Sequence, residues 1–115
     1  MNWKNKKILI TGCSGVIGKD LAKFLAQKEA NVLGIDIVDY PYKFKKSIFR
    51  LIKKDLLYFN SQDIINFKPE VVFHLAACFE RTKENPQFWQ KNFRNNIIIS
   101  HKIISLLKEI KTKSL

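Results

Sequence analysis

The chain has 115 residues, of which 46% are hydrophobic and 27% charged, and it carries a formal net charge of +11. That length suits one domain with a moderate core, and the composition is that of a globular rather than a disordered chain. No apolar run approaches the roughly 20 residues of a membrane span.

The basic start "MNWKNKK" leads into an apolar stretch that meets glycine almost at once, which reads as a strand and not as a signal peptide. Lysine far outnumbers arginine and is scattered, with small clusters only at "KFKK" (Lys43 to Lys46) and at Lys53 and Lys54. No helix-turn-helix or zinc spacing accompanies the charge. Non-specific attraction to polyanions at low salt is therefore expected, and a specific nucleic-acid site is not. With two cysteines, Cys13 and Cys78, and no export signal, the reducing cytoplasm is the expected compartment.

In chain order, "KILIT" (Lys7 to Thr11) reads as a buried strand, followed by a helix from about Val16 to Lys28. "NVLGID" (Asn31 to Asp36) and "IFRLIK" (Ile48 to Lys53) read as the second and third strands. A short helix is expected over Ser61 to Phe67, capped by Asn60 or Ser61 and stopped before Pro69. "EVVFHLA" (Glu70 to Ala76) reads as the fourth strand. A long helix opens at Asn85-Pro86 and runs to about Lys111, with Trp89, Phe93, Ile97, Ile104 and Leu107 at helix-compatible intervals. Alternating strands and helices imply right-handed parallel crossovers, hence a Rossmann-like, doubly wound α/β sheet of about four strands in the order 3-2-1-4.

The loop after the first strand holds Gly12, Gly15 and Gly18. Glycine there serves three ends: a positive φ, close approach of the main chain to a pyrophosphate, and tight packing of helix on strand. The unpaired N–H groups of the following helix, at the positive end of its dipole, suit a phosphate. Asp36 ends the second strand 18 residues after Gly18, where a carboxylate can accept hydrogen bonds from ribose hydroxyls and repel a 2′-phosphate. The expected cofactor is thus NAD in preference to NADP, although Lys43, Lys45 and Lys46 follow and could offset that repulsion.

These residues resemble the extended short-chain dehydrogenase/reductase family, the NAD-dependent epimerases and dehydratases of nucleotide sugars. "TGCSGVIG" is similar to its T-G-x-x-G-x-x-G loop, "KDLL" (Lys54 to Leu57) to the stretch after its third strand, and "PEVVFHLAA" (Pro69 to Ala77) to its fourth-strand motif. "NNIIIS" (Asn95 to Ser100) resembles its long-helix motif N-N-V-x-G-T, with Ile99 where glycine is usual. The resemblance implies backbone contacts from Val16 and Ile17 to the pyrophosphate, Ile17 also filling space between helix and sheet. It implies an adenine contact from Asp55, with Leu56 beside it. Leu75, Ala76 and Ala77 would run beneath the nicotinamide ribose. Asn95 would make a polar contact on the nicotinamide side, with Asn92 as its competitor and Asn96 bonding into the sheet. His74 reads as a packed core histidine, His101 as solvated, and Cys13 as a small residue that fits the loop, although the helix end could lower its thiol pKa.

The family's catalysis depends on a Tyr-x-x-x-Lys pair that follows its fifth strand. Here the tyrosines are Tyr40, Tyr42 and Tyr58, and Tyr42 with Lys46 matches that spacing only formally, after the second strand. The expectation is a front half of a dinucleotide domain, with a nucleotide-sugar substrate only when the remaining half is supplied. A non-catalytic dinucleotide-binding module is the alternative. Either way the fourth strand would leave an edge open to self-association, and stability alone would be marginal.

Overall fold

A computed structural model of the chain describes residues 2–76 and 86–110, and in the last helix it describes side chains from residue 94 on. The elements are β1 (Lys7–Thr11), α1 (Val16–Gln27), β2 (Asn31–Asp36), β3 (Phe49–Lys53), α2 (Ser61–Phe67), β4 (Val71–His74) and α3 (Pro86–Ile110).

Ile8, Leu9 and Ile10 of β1 are all fully buried, as a central strand covered on both faces requires. β1 pairs in parallel with β2 on one side and β4 on the other, and β2 pairs with β3, giving the order β3-β2-β1-β4. Because side chains alternate along a strand, the sheet sorts its apolar residues into two cores. Ile8, Ile10, Val32 and Phe49 pack with Ala22 and Leu25 of α1. Leu9, Leu33, Ile35 and Val72 pack with Ile64 of α2 and Ile99, Ile103 and Leu106 of α3.

The helices follow local chemistry. α1 buries Gly18, Ala22, Leu25 and Ala26, one stripe at helical spacing. α2 starts where the Asn60 side chain accepts the Gln62 N–H at 2.9 Å, and it ends at left-handed Lys68 ahead of Pro69.

Two expectations need correction. β4 ends at His74: the Leu75 N–H makes the last ladder bond, to the Thr11 carbonyl, and the Ala76 N–H turns to the Thr11 hydroxyl instead. On α3 the buried stripe is Ile99, Ile103 and Leu106, whereas Ile97 and Ile104 are about half exposed. Isoleucine or leucine occupies 97, 98, 99, 103, 104, 106 and 107, so apolar spacing alone does not choose the inward face.

Candidate functional site

All four strands end at one cleft of about 350 Å³. Gly12 and Gly15 line it from the loop after β1, Asp36, Ile37 and Val38 after β2, Lys54, Asp55 and Leu56 after β3, and Leu75 and Ala76 after β4. Ile99 of α3 closes one wall. In open parallel sheets, the crevice at the strand carboxyl ends, where the strand order reverses, is the usual ligand position. Here the reversal falls between β1 and β4.

The three glycines do different work. Gly12 has φ +73°, and a Cβ there would sit 2.8 Å from the Ala76 nitrogen, so the turn after β1 presses directly on the end of β4. A Cβ on Gly18 would collide with the Gly12 carbonyl, so Gly18 sets how closely α1 approaches the loop. Gly15 is different: its φ is −76° and its nearest such contact is an ordinary 3.4 Å. It is the N-cap of α1, where no side chain caps the helix and no acidic residue sits in the first turn. The first-turn N–H groups, which lack intrahelical partners in any helix, thus have no carboxylate from their own turn beside them.

Asp36 ties two loops together. Its Oδ2 accepts the Ser14 N–H at 2.9 Å and its Oδ1 accepts the Val38 N–H at 3.1 Å, while the Ser14 hydroxyl donates to the Val38 carbonyl at 3.0 Å. Asp55 Oδ1 accepts the Leu57 N–H at 2.9 Å, an Asx turn that fixes the carboxylate at the cleft. The β3–α2 connection is held to α3 by Lys102, whose Nζ donates to the Phe59 carbonyl at 3.2 Å and lies 3.9 Å from the centre of its ring. Burial lowers the Lys102 pKa.

Of the residues singled out in the sequence, the structure brings Gly12, Gly15, Asp36, Asp55, Leu56, Leu75 and Ala76 together at the cleft. Val16 and Ile17 stand at the α1 N-terminus with side chains 85% and 71% exposed, so Ile17 does not fill the space between helix and sheet. Gly18 lies behind the loop. Asn95 and Asn96 are half-buried on α3 and are not lining residues; Ile99 lines the cleft from that helix. Ala77 and the Asn92 side chain lie outside the described residues.

Of the lysines weighed against Asp36, one is clearly placed. Lys46 lines a different cavity of about 490 Å³ with Lys7, Asn31 and Arg50, at the opposite ends of the strands. Among the described residues the cation lining the cleft is Lys54, whose place there sequence reasoning passed over although it precedes Asp55. Ser14 was also missed, and only the tertiary bond to Asp36 reveals its role.

Cys13 is fully buried, and burial pushes its thiol up to about 11, so the helix end does not activate it. Its sulfur occupies the space above Gly34, where a Cβ would stand 2.6 Å away. Tyr40 donates its hydroxyl to the Lys19 carbonyl at 2.7 Å, stacks on Phe49, and is pushed up to about 12, chiefly by burial. Tyr42 packs edge-on against Tyr40 with Lys23 Nζ 4.5 Å from its ring centre, and no tyrosine lines the cleft among the described residues. No group of three or more histidine, cysteine or carboxylate side chains placed to hold a metal occurs among the described residues.

A four-stranded parallel sheet, a glycine turn into an uncapped helix and a carboxylate at the end of β2 define a Rossmann-type nucleotide-binding fold. The chain belongs to the NAD dependent epimerase/dehydratase family, whose sequence model matches residues 8–115. Protein CapI of Staphylococcus aureus is 36% identical over an 83-residue alignment that covers 62% of this chain and 25% of that protein. Among solved structures, the Bordetella bronchiseptica enzyme WbmG in complex with NAD is similar at TM-score 0.75 and 21% identity, over 96% of this chain and 36% of WbmG. MoeE5 in complex with UDP-glucose and NAD is similar at TM-score 0.74 and 22% identity, over 92% of this chain and 33% of MoeE5. These structural likenesses establish the fold. The chain spans about a quarter of the CapI length and about a third of each of those two structures. No described helix is long and apolar enough to cross a membrane.

Proposed function

We propose that the cleft holds NAD, and that these residues are the cofactor-binding, N-terminal part of a nucleotide-sugar epimerase/dehydratase-like oxidoreductase. The observation that carries this reading is the convergence on one cleft of an uncapped helix N-terminus and two fixed carboxylates, Asp36 and Asp55. The donor set suits a dinucleotide. The exposed first turn at Val16 and Ile17 offers N–H groups to a pyrophosphate, and Gly15 leaves the main chain uncovered there. Asp36 is held by Ser14 and Val38 at the position that serves ribose hydroxyls, and Asp55 and Leu56 border the adenine side. Leu75 and Ala76, with Ala77 following them in the chain, take the nicotinamide ribose side, and Asn95 is the candidate polar contact on α3.

Bound there, NAD would supply hydride acceptance and return. The chain's own part is to bind and orient the cofactor and, through Leu75, Ala76 and Ile99, to give one wall of the cleft an apolar surface. The acid–base pair Tyr-x-x-x-Lys is assigned to sequence other than these 115 residues, as is the recognition of a nucleotide sugar. Support for that class of substrate comes from family membership and from the likeness to MoeE5 in complex with UDP-glucose and NAD.

Preference for NAD over NADP rests on Asp36; Lys46 lies at the far end of the sheet, and Lys54 is the lysine that shares the cleft with Asp36 among the described residues. Melting the chain with NAD, NADP or ATP tests the reading. A ligand at one hundred times its dissociation constant adds about 2.7 kcal/mol, so the expected order of stabilisation at equal concentration is NAD, then NADP, then ATP. Equal shifts from NAD and NADP would remove the role given to Asp36.

A further inference from the structure

One imidazole joins three of the elements that meet at the cleft. His74, the last residue of β4, has Nδ1 2.6 Å from the Thr11 hydroxyl at the end of β1 and Nε2 3.3 Å from the Ser100 hydroxyl on α3. The Thr11 oxygen also accepts the N–H of Ala76, a cleft residue, at 3.2 Å. Each anchor adjoins a lining residue: Thr11 precedes Gly12, His74 precedes Leu75, and Ser100 follows Ile99.

The donor and acceptor inventory fixes the arrangement. Thr11 is fully buried, and its hydroxyl has one proton and two lone pairs. Among the described residues its only acceptor is His74 Nδ1, since the contact to Ala76 already uses a lone pair. The neutral imidazole with its proton on Nε2 therefore satisfies every member: Thr11 donates to Nδ1, and Nε2–H donates to Ser100. A protonated imidazole donates from both nitrogens. Thr11 would then receive two donors and hold a buried O–H with no acceptor, and the simplest relief is for the hydroxyl to rotate away from Ala76.

We propose that His74 is a positioning residue of the cleft: its neutral imidazole holds the Ala76 edge in place through Thr11, and its protonation releases that edge and weakens dinucleotide binding. The affinity half of this inference rests on the NAD reading above; the structural half does not.

Burial lowers the His74 pKa below the ordinary imidazole value, in keeping with a neutral ring. Among the described residues, the groups bonded to the ring are the Thr11 hydroxyl from β1 and the Ser100 hydroxyl from α3. The charge on β1, Lys7, is at the strand's other end, and β4 carries no charged residue besides His74 itself. On α3, Lys102 is turned to the Phe59 carbonyl and His101 is exposed. Asp36 and Asp55 share the cleft but make no bond to the ring.

The test has two readouts. In the ligand-free chain, NMR titration from pH 8 to pH 5 should move the Ala76 and Thr11 amide resonances with the midpoint of the His74 ring protons, while His101→Gln leaves that coupling intact. An Ala76 amide that ignores the His74 midpoint overturns the inference whether or not NAD binds. For affinity, the dissociation constant of NAD should rise by up to tenfold per pH unit below that midpoint. His74→Gln, which retains a donor toward Ser100 and cannot titrate, should reduce that rise to twofold or less; Asp36 and Asp55 are present in both proteins and cancel. Equal pH profiles in the two proteins overturn the inference. An absence of NAD binding at pH 8 would instead strike the cofactor reading, and the amide titration would still decide the role of His74.

Discussion

Replacing Gly12 by alanine should unfold the loop's relation to β4, and the structure sets the size of the effect. The φ of +73° places an alanine in the left-handed region, at about 1–2 kcal/mol. The new Cβ would also lie 2.8–2.9 Å from main-chain atoms of Leu75 and Ala76, which cannot swing aside as a side chain could. Overpacking of that kind costs about 1–3 kcal/mol. The sum, about 2–5 kcal/mol, is a large share of the stability of a small domain, and corresponds to a fall in Tm of about 10 °C or more. Urea unfolding of wild type and Gly12→Ala, followed by circular dichroism, measures it. Gly15→Ala is the internal control, with a permitted φ of −76° and a nearest contact of 3.4 Å. It should stay within about 1 kcal/mol of wild type while NAD affinity falls by about tenfold, because the methyl group covers main chain at the helix N-terminus. A Gly12→Ala variant within about 0.5 kcal/mol of wild type would refute the close approach of the β1 turn to β4.

Other outcomes follow from single contacts. Thr11→Val removes the partner of both His74 Nδ1 and the Ala76 N–H, and should cost about 1–3 kcal/mol in urea unfolding despite its near-identical shape. Stability should also depend on His74 with a definite sign. Its folded pKa is lowered, so the unfolded chain binds more protons on the acid side; the full contribution is present above the unfolded imidazole value of about 6.5 and is lost as pH falls below it until the folded pKa is passed. Urea midpoints at pH 8, 7, 6 and 5 would show this, and His74→Gln should flatten the drop. Lys102→Met should cost about 1 kcal/mol and raise amide exchange at 55–59, since it frees the β3–α2 connection from α3. In a Cys78→Ser background, Cys13 should resist a thiol reagent at pH 8 until the chain unfolds, because burial keeps its thiol protonated.

What was readable in the sequence was whatever local pattern decides. The apolar run Ile8 to Ile10 specified a strand covered on both faces, Asn60 and Pro69 marked the ends of α2, and strands alternating with helices implied the order β3-β2-β1-β4. The glycine spacing placed the turn but could not say which glycine did what. The role of Gly12 depends on atoms more than 60 residues away, at Leu75 and Ala76, and that of Gly18 on how the folded loop brings the Gly12 carbonyl over it. The inward face of α3 was hidden because isoleucine and leucine surround the helix, and only the sheet selects Ile99, Ile103 and Leu106. Ser14 and Lys102 escaped for a similar reason, their partners being tertiary, and Lys54 because its place at the cleft is set by the folded sheet. Thr11 left one usable signal: a polar residue at a core-facing strand position needs a partner, and His74 is that partner.

The most direct test of the account is an amide chemical-shift map of the chain titrated with NAD. The prediction is saturable shifts confined to the strand carboxyl ends, at Gly12, Gly15, Val16, Ile17, Val38, Leu56 and Ala76, with the Lys7, Lys46 and Arg50 cavity at the other end of the sheet undisturbed. Shifts centred on that basic cavity, or none at the glycine loop, would contradict the assignment of this cleft to the dinucleotide.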